Sequence, residues 1–132
     1  MTTRFQDLLQ CTGEDVAAAL RRNDPDELAL MSITMAMISS DNQAVQKVCV
    51  CLCTHHSTRV RGNAVTGLGH LARRFRELDE CIIKPLVEAA LADQDEYVRT
   101  HARSAADEIH QFLGWSISGH VYGADAEERA SR

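Results

Sequence analysis

The stretch from Ser57 to Leu71 reads STRVRGNAVTGLGHL, and the stretch from Asp95 to Ile109 reads DEYVRTHARSAADEI. A slide of 38 residues lays the first on the second, with Val60 on Val98, Arg61 on Arg99, Ala64 on Ala102 and Leu71 on Ile109. The segments ahead of them follow the same slide, Ala44 to Thr54 falling on Ile82 to Ala92. Each unit therefore reads as two helices with a short turn between them. A period of about 40 residues is the one that stacked helix pairs use.

Local signals agree with helix throughout. Val98, Ala102, Ala105, Ala106, Ile109, Phe112 and Leu113 recur at helical spacing and make one apolar stripe. Asp95 stands where an N-cap belongs, with Asp93 close by. Asp79 is expected to cap the preceding helix, and Pro85 marks the first turns of that helix or a kink. Asp24-Pro25 is a capping acid followed by proline at the first helical position, opening a helix to about Ser39. Ahead of it, Phe5–Gln10 and Glu14–Arg22 read as short helices broken at Thr12-Gly13. After Gly114 the periodicity stops, and ADAEERASR reads as a frayed or weakly helical tail. The expected organisation is one all-α domain over 1–132. It has N-terminal helices over 4–22, helix pairs over about 25–54, 57–93 and 95–113, and a tail over 114–132.

Composition fits that expectation. In 132 residues, 45% are apolar, 25% charged and only 5% aromatic, with two prolines and seven glycines. Alanine, leucine and arginine favour helix. No apolar run approaches the roughly 20 residues that span a bilayer. The opening MTTRFQDLLQ lacks the pattern of a secretory signal. A cytoplasmic chain is expected, with its five cysteines reduced. The net charge of -5 argues against a dedicated nucleic-acid binder and favours a basic partner. Charge is unevenly spread: Arg59, Arg61, Arg73, Arg74 and Arg76 fall in an acid-free stretch between two acidic ones.

Cys49, Cys51, Cys53, His55 and His56 crowd into CVCLCTHH, residues 49–56. On a helix, Cys49 and Cys53 share a face while Cys51 points about 200° away. Those directions do not converge on a tetrahedral metal, and the spacing is not that of a zinc ribbon. The stretch reads as core, with Cys53 plus one histidine as the competing ligand reading. No metal and no cofactor is expected. No P-loop, HExxH, GxSxG or EF-hand pattern occurs, and the chain is not read as an enzyme.

The most unusual stretch is RGNAVTGLGHLAR. Each of Gly62, Gly67 and Gly69 costs a helix interior about 1 kcal/mol against alanine. Gly67 aligns with core Ala105, so close packing accounts for it. Gly69 aligns with Asp107 and is expected to face outward, where packing explains it less well. A partner approaching near Asn63, Thr66, Gly69, His70 and Arg73 is the competing reason. His101 and His110 read as hydrogen-bonded boundary residues. Trp115 and Tyr122 are either a cap over the last apolar edge or exposed anchors for a partner.

The pattern Asp-x-x-Val-Arg-x-x-Ala, present as Asp95, Val98, Arg99 and Ala102, resembles the second helix of a HEAT repeat. Val60, Arg61 and Ala64 repeat it, with Ser57 in place of the acid; the unit at Asp24–Ser39 lacks the Val-Arg pair. The resemblance implies a short right-handed superhelical solenoid with a concave face. It also implies a structural pairing of Arg61 with the acid of the neighbouring turn, Asp95. Beyond the fold, the chain resembles small bacterial HEAT-like immunity proteins of toxin–immunity systems, including those of contact-dependent growth inhibition. That likeness implies a cytosolic antidote that binds the catalytic domain of a cognate toxin, often a nuclease. The partner-binding residues expected are Asp95, Glu96, Asp107 and Glu108 on one side, with Asn63, Thr66, His70 and Arg73 beside the glycine-rich helix. The alternatives are an adaptor of another complex, or a nucleic-acid binder using the arginine-rich helix 59–76.

Overall fold

A computed structural model describes residues 13–120 of the chain. The helix expected over Phe5–Gln10, Tyr122 and the sequence ADAEERASR lie outside them. The described residues form α1 (Gly13–Arg22), α2 (Pro25–Ile38), α3 (Asn42–Leu52), α4 (Thr58–Phe75), α5 (Glu80–Leu91) and α6 (Glu96–Leu113), with no strand among them.

The helices begin where the capping residues stand. Asp24 accepts from the Asp26 N–H, Asp41 from that of Ala44 and Ser57 from that of Val60. Asp95 accepts from the N–H groups of both Tyr97 and Val98. Each bond satisfies a donor that the first helical turn cannot satisfy itself. Asp79 occupies the N-cap position of α5 without a side-chain cap bond, and Pro85 falls inside that helix. Gly114, at φ 74°, closes α6 in the left-handed conformation that glycine adopts without strain.

Helix α4 lies in the middle of a row, with α2 on one flank and α6 on the other. Asn63 bonds Ala29 and Arg74 bonds Ala36 on α2, while Asn63 meets Tyr97 and Arg73 meets Glu108 on α6. Partners advance together along each pair, so the three helices run in the same direction. Helices α3 and α5 pack behind them. The core between is filled by Leu28, Met31, Leu52, Val60, Leu68, Leu71, Ile83, Val87 and Ile109, all essentially inaccessible.

The glycines follow from that central position. A Cβ on Gly67 would stand 2.9 Å from Cys49 Sγ and 3.3 Å from the Ala36 methyl. One on Gly69 would stand 3.0 Å from the Ala105 Cα, and one on Gly62 would run into the Tyr97 ring at 2.6 Å. Gly69 thus faces inward, against the expectation drawn from its alignment with Asp107. The reason is that α4 has a neighbour on that flank, whereas on the matching flank of α6 no further helix lies among the described residues.

Cys49 is buried in the same core, Cys53 is half-buried and Cys51 is exposed. Burial, with Cys53 adding to it, pushes the Cys49 thiol far above its ordinary range, and burial pushes Cys53 up to about 12. Both are uncharged packing groups at neutral pH. His55 accepts from the Ser57 N–H through Nδ1 and pairs with Asn23 through Nε2 at 2.6 Å. Both its ring nitrogens are therefore occupied. Among the described residues no group of three or more His, Cys, Asp or Glu is placed to hold a metal ion.

The chain after Gly114 folds back instead of fraying at once. Ile117 is buried and Trp115 packs against the core, in the manner of a cap. The Ser118 N–H donates to Glu88, and His120 sits 2.7 Å from Asp107.

Replacing Gly69 by alanine tests the close approach. The added methyl meets the backbone of a packed helix, and overpacking of about 1–3 kcal/mol outweighs the helix-propensity gain of about 1 kcal/mol. A net loss of about 1 kcal/mol is expected in urea unfolding. Gly62→Ala should cost less, because the Tyr97 ring it meets is half-exposed and can swing away. A Gly69→Ala protein more stable than the parent contradicts the packing account.

Candidate functional site

With α2, α6 and the rear helices covering it, α4 keeps only one strip open. Arg59, Asn63, Thr66, His70 and Arg73 line it, three and four residues apart and therefore on one face. On the α2 side stand Asp26, Leu30 and Met37, the last two 46% and 53% exposed. On the α6 side stand Tyr97, His101 and Glu108. The result is one continuous outer face of the α2–α4–α6 row.

Its two ends are organised differently. At the first, the Tyr97 hydroxyl donates to Asn63 Oδ1 at 2.6 Å, and Asn63 Nδ2 donates to the Ala29 carbonyl at 3.2 Å. The Tyr97 ring lies over Gly62 and packs on His101, with ring centres 4.0 Å apart. Three helices are stitched together there by one asparagine.

At the other end, Arg73 Nη2 lies 3.3 Å from His70 Nδ1, and Arg73 Nη1 lies 3.7 Å from Glu108 Oε2. Half-burial lowers the His70 pKa; Glu108 opposes this and Arg73 reinforces it. The imidazole is therefore neutral at neutral pH and can accept from Arg73. Glu108 Oε2 and Thr66 Oγ1 are buried with no hydrogen-bond partner among the described residues. Buried polar atoms are paired in the great majority of cases, so the Thr66 hydroxyl, next to a Glu108 oxygen held only by its 3.7 Å ion pair with Arg73, marks a place where stability has not been optimised.

The expected partner-binding residues divide accordingly. Asn63, Thr66, His70, Arg73 and Glu108 come together on this face. Glu96 is exposed at the start of α6, away from the strip. Asp95 is occupied in capping α6, and Asp107 is paired with His120. Glu108 thus lies beside the strip, while Glu96 and Asp107, eleven residues apart on α6, share a neighbouring exposed face. Tyr97, His101, Leu30 and Met37 were not among the expected residues. A signal for the last two exists in α2: PDELALMSITMAMI is apolar almost all round, as helices covered on every side are.

Arg61 does not reach Asp95. Its Nε and Nη2 grip both oxygens of Asp93 at 3.0 Å each, and its Nη1 donates to the His55 and His56 carbonyls. Asp95 is spent on the α6 cap, and Asp93, two residues earlier, faces across the turn. The other basic residues of 59–76 are engaged as well. Arg59 meets Asp26 at 3.3 Å, and Arg74 donates to the Ala36 and Ser39 carbonyls at the end of α2. Arg76 lies over the Phe112 ring.

No protein-family model, no curated protein and no solved structure matches the chain.

Two outcomes follow from these contacts. Thr66→Val removes a hydroxyl that has no hydrogen-bond partner among the described residues, so stability should stay unchanged or rise by up to about 1 kcal/mol. A loss above 1 kcal/mol would show that Thr66 is bonded in solution. For Asp93, the hydrogen bonds from Arg61 hold the carboxyl below its ordinary value of 3.8, against the opposing effect of burial. The Asp95 N–H and the charges of Arg61 and Arg99 act in the same sense as those bonds. The folded state thus binds this proton less readily than the unfolded chain. Its contribution is complete above about pH 4 and fades as pH falls through the folded value. Unfolding titrations from pH 7 to pH 2.5 should show Asp93→Asn less stable than the parent at pH 7 by about 2 kcal/mol, with the gap closing in acid. A gap independent of pH would refute the assignment.

Proposed function

We propose that the chain is a protein-binding module of the HEAT-like kind, and that its partner is the catalytic domain of a bacterial toxin such as a nuclease. In this reading it is a cytosolic immunity protein. The helix pairs form a short right-handed solenoid, and the α2–α4–α6 face is its concave docking surface. The observation that carries the reading is the exposure of Leu30, Met37 and Tyr97 around a central polar strip. Apolar and aromatic anchors beside hydrogen-bonding groups, with charged pairs at the edge, are what the centre and rim of a protein interface require. Packing at Gly62, Gly67 and Gly69 makes the face rigid, which reduces the ordering cost of binding. The net negative charge would speed the approach of a basic partner.

Arg61 and Arg74 are engaged within the fold, and Arg59 and Arg73 stand beside the acids Asp26 and Glu108, which speaks against the nucleic-acid alternative. A phosphate-binding strip needs guanidinium groups that are free to neutralise a backbone.

The product of the gene immediately upstream in the source genome is the partner to try first. Its C-terminal domain would be induced in a laboratory bacterium with and without this chain, and growth followed. Growth arrest relieved only by this chain is expected, together with recovery of a stable complex. Leu30→Glu, Met37→Glu and Tyr97→Ala should each weaken that complex at least about tenfold, or 1.4 kcal/mol. The proposed face is wrong if all three variants bind as the parent does. The antidote reading falls if the neighbouring domain is harmless, or kills despite co-expression.

A further inference from the structure

The contacts between successive inter-helix turns form a ladder, and its last rung is half built. In the turn before α4, His55 meets Asn23 at 2.6 Å. In the turn before α6, Asp93 meets Arg61 through two bonds of 3.0 Å. His55 and Asp93 stand two residues ahead of their helix N-caps, Ser57 and Asp95. Each also accepts the N–H of that cap residue, at 3.0 Å and 2.9 Å. The two turns are thus built alike and face the same way along the row.

Arg99 continues the series. Its Nη1 donates to the Asp93 and Gln94 carbonyls at 2.8 Å each. Arg61 Nη1 donates in the same way to the His55 and His56 carbonyls, six and five residues back, at 3.0 and 3.1 Å. That bond pins the guanidinium plane against the turn. In Arg61 the remaining edge, Nε with Nη2, is the one that holds Asp93. In Arg99 that same edge has no partner among the described residues, and the side chain is half-buried rather than free to roam. One turn further along α6, Arg103 donates to Thr100 and, among the described residues, to no other group, so a second cation stands on the same flank.

We propose that the Nε–Nη2 edge of Arg99 is a binding site for a single carboxylate, held as Arg61 holds Asp93. Planar guanidinium forks and carboxylates match in a two-bond geometry, and pinning by the turn carbonyls removes most of the ordering cost. A lysine in this place could not reproduce the fit. A second copy of the chain stacked in register would present a cation, not an acid, at the matching position. Two residues ahead of the N-cap of its first described pair, Asp24, it carries Arg22. The carboxylate comes either from a different polypeptide or from this chain's own sequence beyond His120, which contains Asp125, Glu127 and Glu128.

The test uses the full-length chain labelled with nitrogen-15, with the arginine Nε–H signals assigned by single substitution. Acetate is titrated against chloride at matched ionic strength, and the same series is run on D125N/E127Q/E128Q. In the parent, a saturable acetate shift at Arg99, several-fold larger than at Arg103 or Arg59, supports the site and an external ligand. An Arg99 signal that is already displaced and unresponsive in the parent, but becomes responsive in the triple variant, supports the site and makes the chain's own acids its source. Because Arg99→Lys removes the reporting Nε–H itself, its readout is the backbone: the saturable acetate shifts of the neighbouring Gln94 and Thr100 amides should be lost, with thermal unfolding within a few degrees of the parent. An Arg99 response no larger than that of Arg103 in both proteins overturns the proposal.

Discussion

The whole arrangement depends on α4 being able to lie between two helices at once. A helix in the middle of a row must be thin on both flanks, and α4 achieves this by carrying no side chain where its neighbours press closest. Gly67 admits Cys49 and Ala36 on one flank, and Gly69 admits the backbone of α6 at Ala105 on the other. The intrinsic cost of these glycines to a helix, about 1 kcal/mol each, is set against apolar burial worth roughly 25 cal/mol per Å² along both contacts. The fold follows from that balance. Helices α2 and α6 are fixed in direction and spacing by α4, and α3 and α5 fill the space behind.

The second determinant is the use of long polar side chains as clamps on backbone. Arg74 reaches from α4 to the final carbonyls of α2, which has no basic residue of its own in its last turn. Asn42 and Gln46 of α3 hold the connection between α4 and α5 through the Glu77 carbonyl and the Asp79 N–H. Arg61 and Arg99 each tie down the turn ahead of their own helix. A run of arginines that reads as a cationic surface in one dimension is thus largely spent inside the frame. What remains open on this face is a strip of modest polarity, flanked by exposed leucine, methionine and tyrosine.

Within that strip, stability and recognition pull apart. Among the described residues the buried Thr66 hydroxyl has no hydrogen-bond partner and Glu108 Oε2 has only its long ion pair with Arg73, and His70 is held neutral beside a carboxylate and a guanidinium. A core optimised only for stability would replace such groups by apolar ones. At the opposite end of the same face, the Tyr97–Asn63–Ala29 chain of hydrogen bonds is fully satisfied and ties three helices together. A rigid end and an underpaired end on one surface suit a partner whose own polar groups complete the second.

The sequence by itself determined the helices and their order. Capping residues at Asp24 and Asp95, proline at the start of α2 and the apolar stripe of α6 are local features, and local backbone physics needs only neighbours in the chain. The repeat of 38 residues also placed Val60 beneath Val98 and Arg61 beneath Arg99 as equivalent positions. The tertiary structure alone decided which of two nearby acids Arg61 would hold, that Gly69 points inward although its counterpart Asp107 points out, and that Tyr97 lies over Gly62. Those outcomes depend on the lateral offset between helices and on whether a helix has one neighbour or two. Periodicity along a chain carries no information about either, because equivalent residues in a finite array meet different surroundings at its middle and at its end.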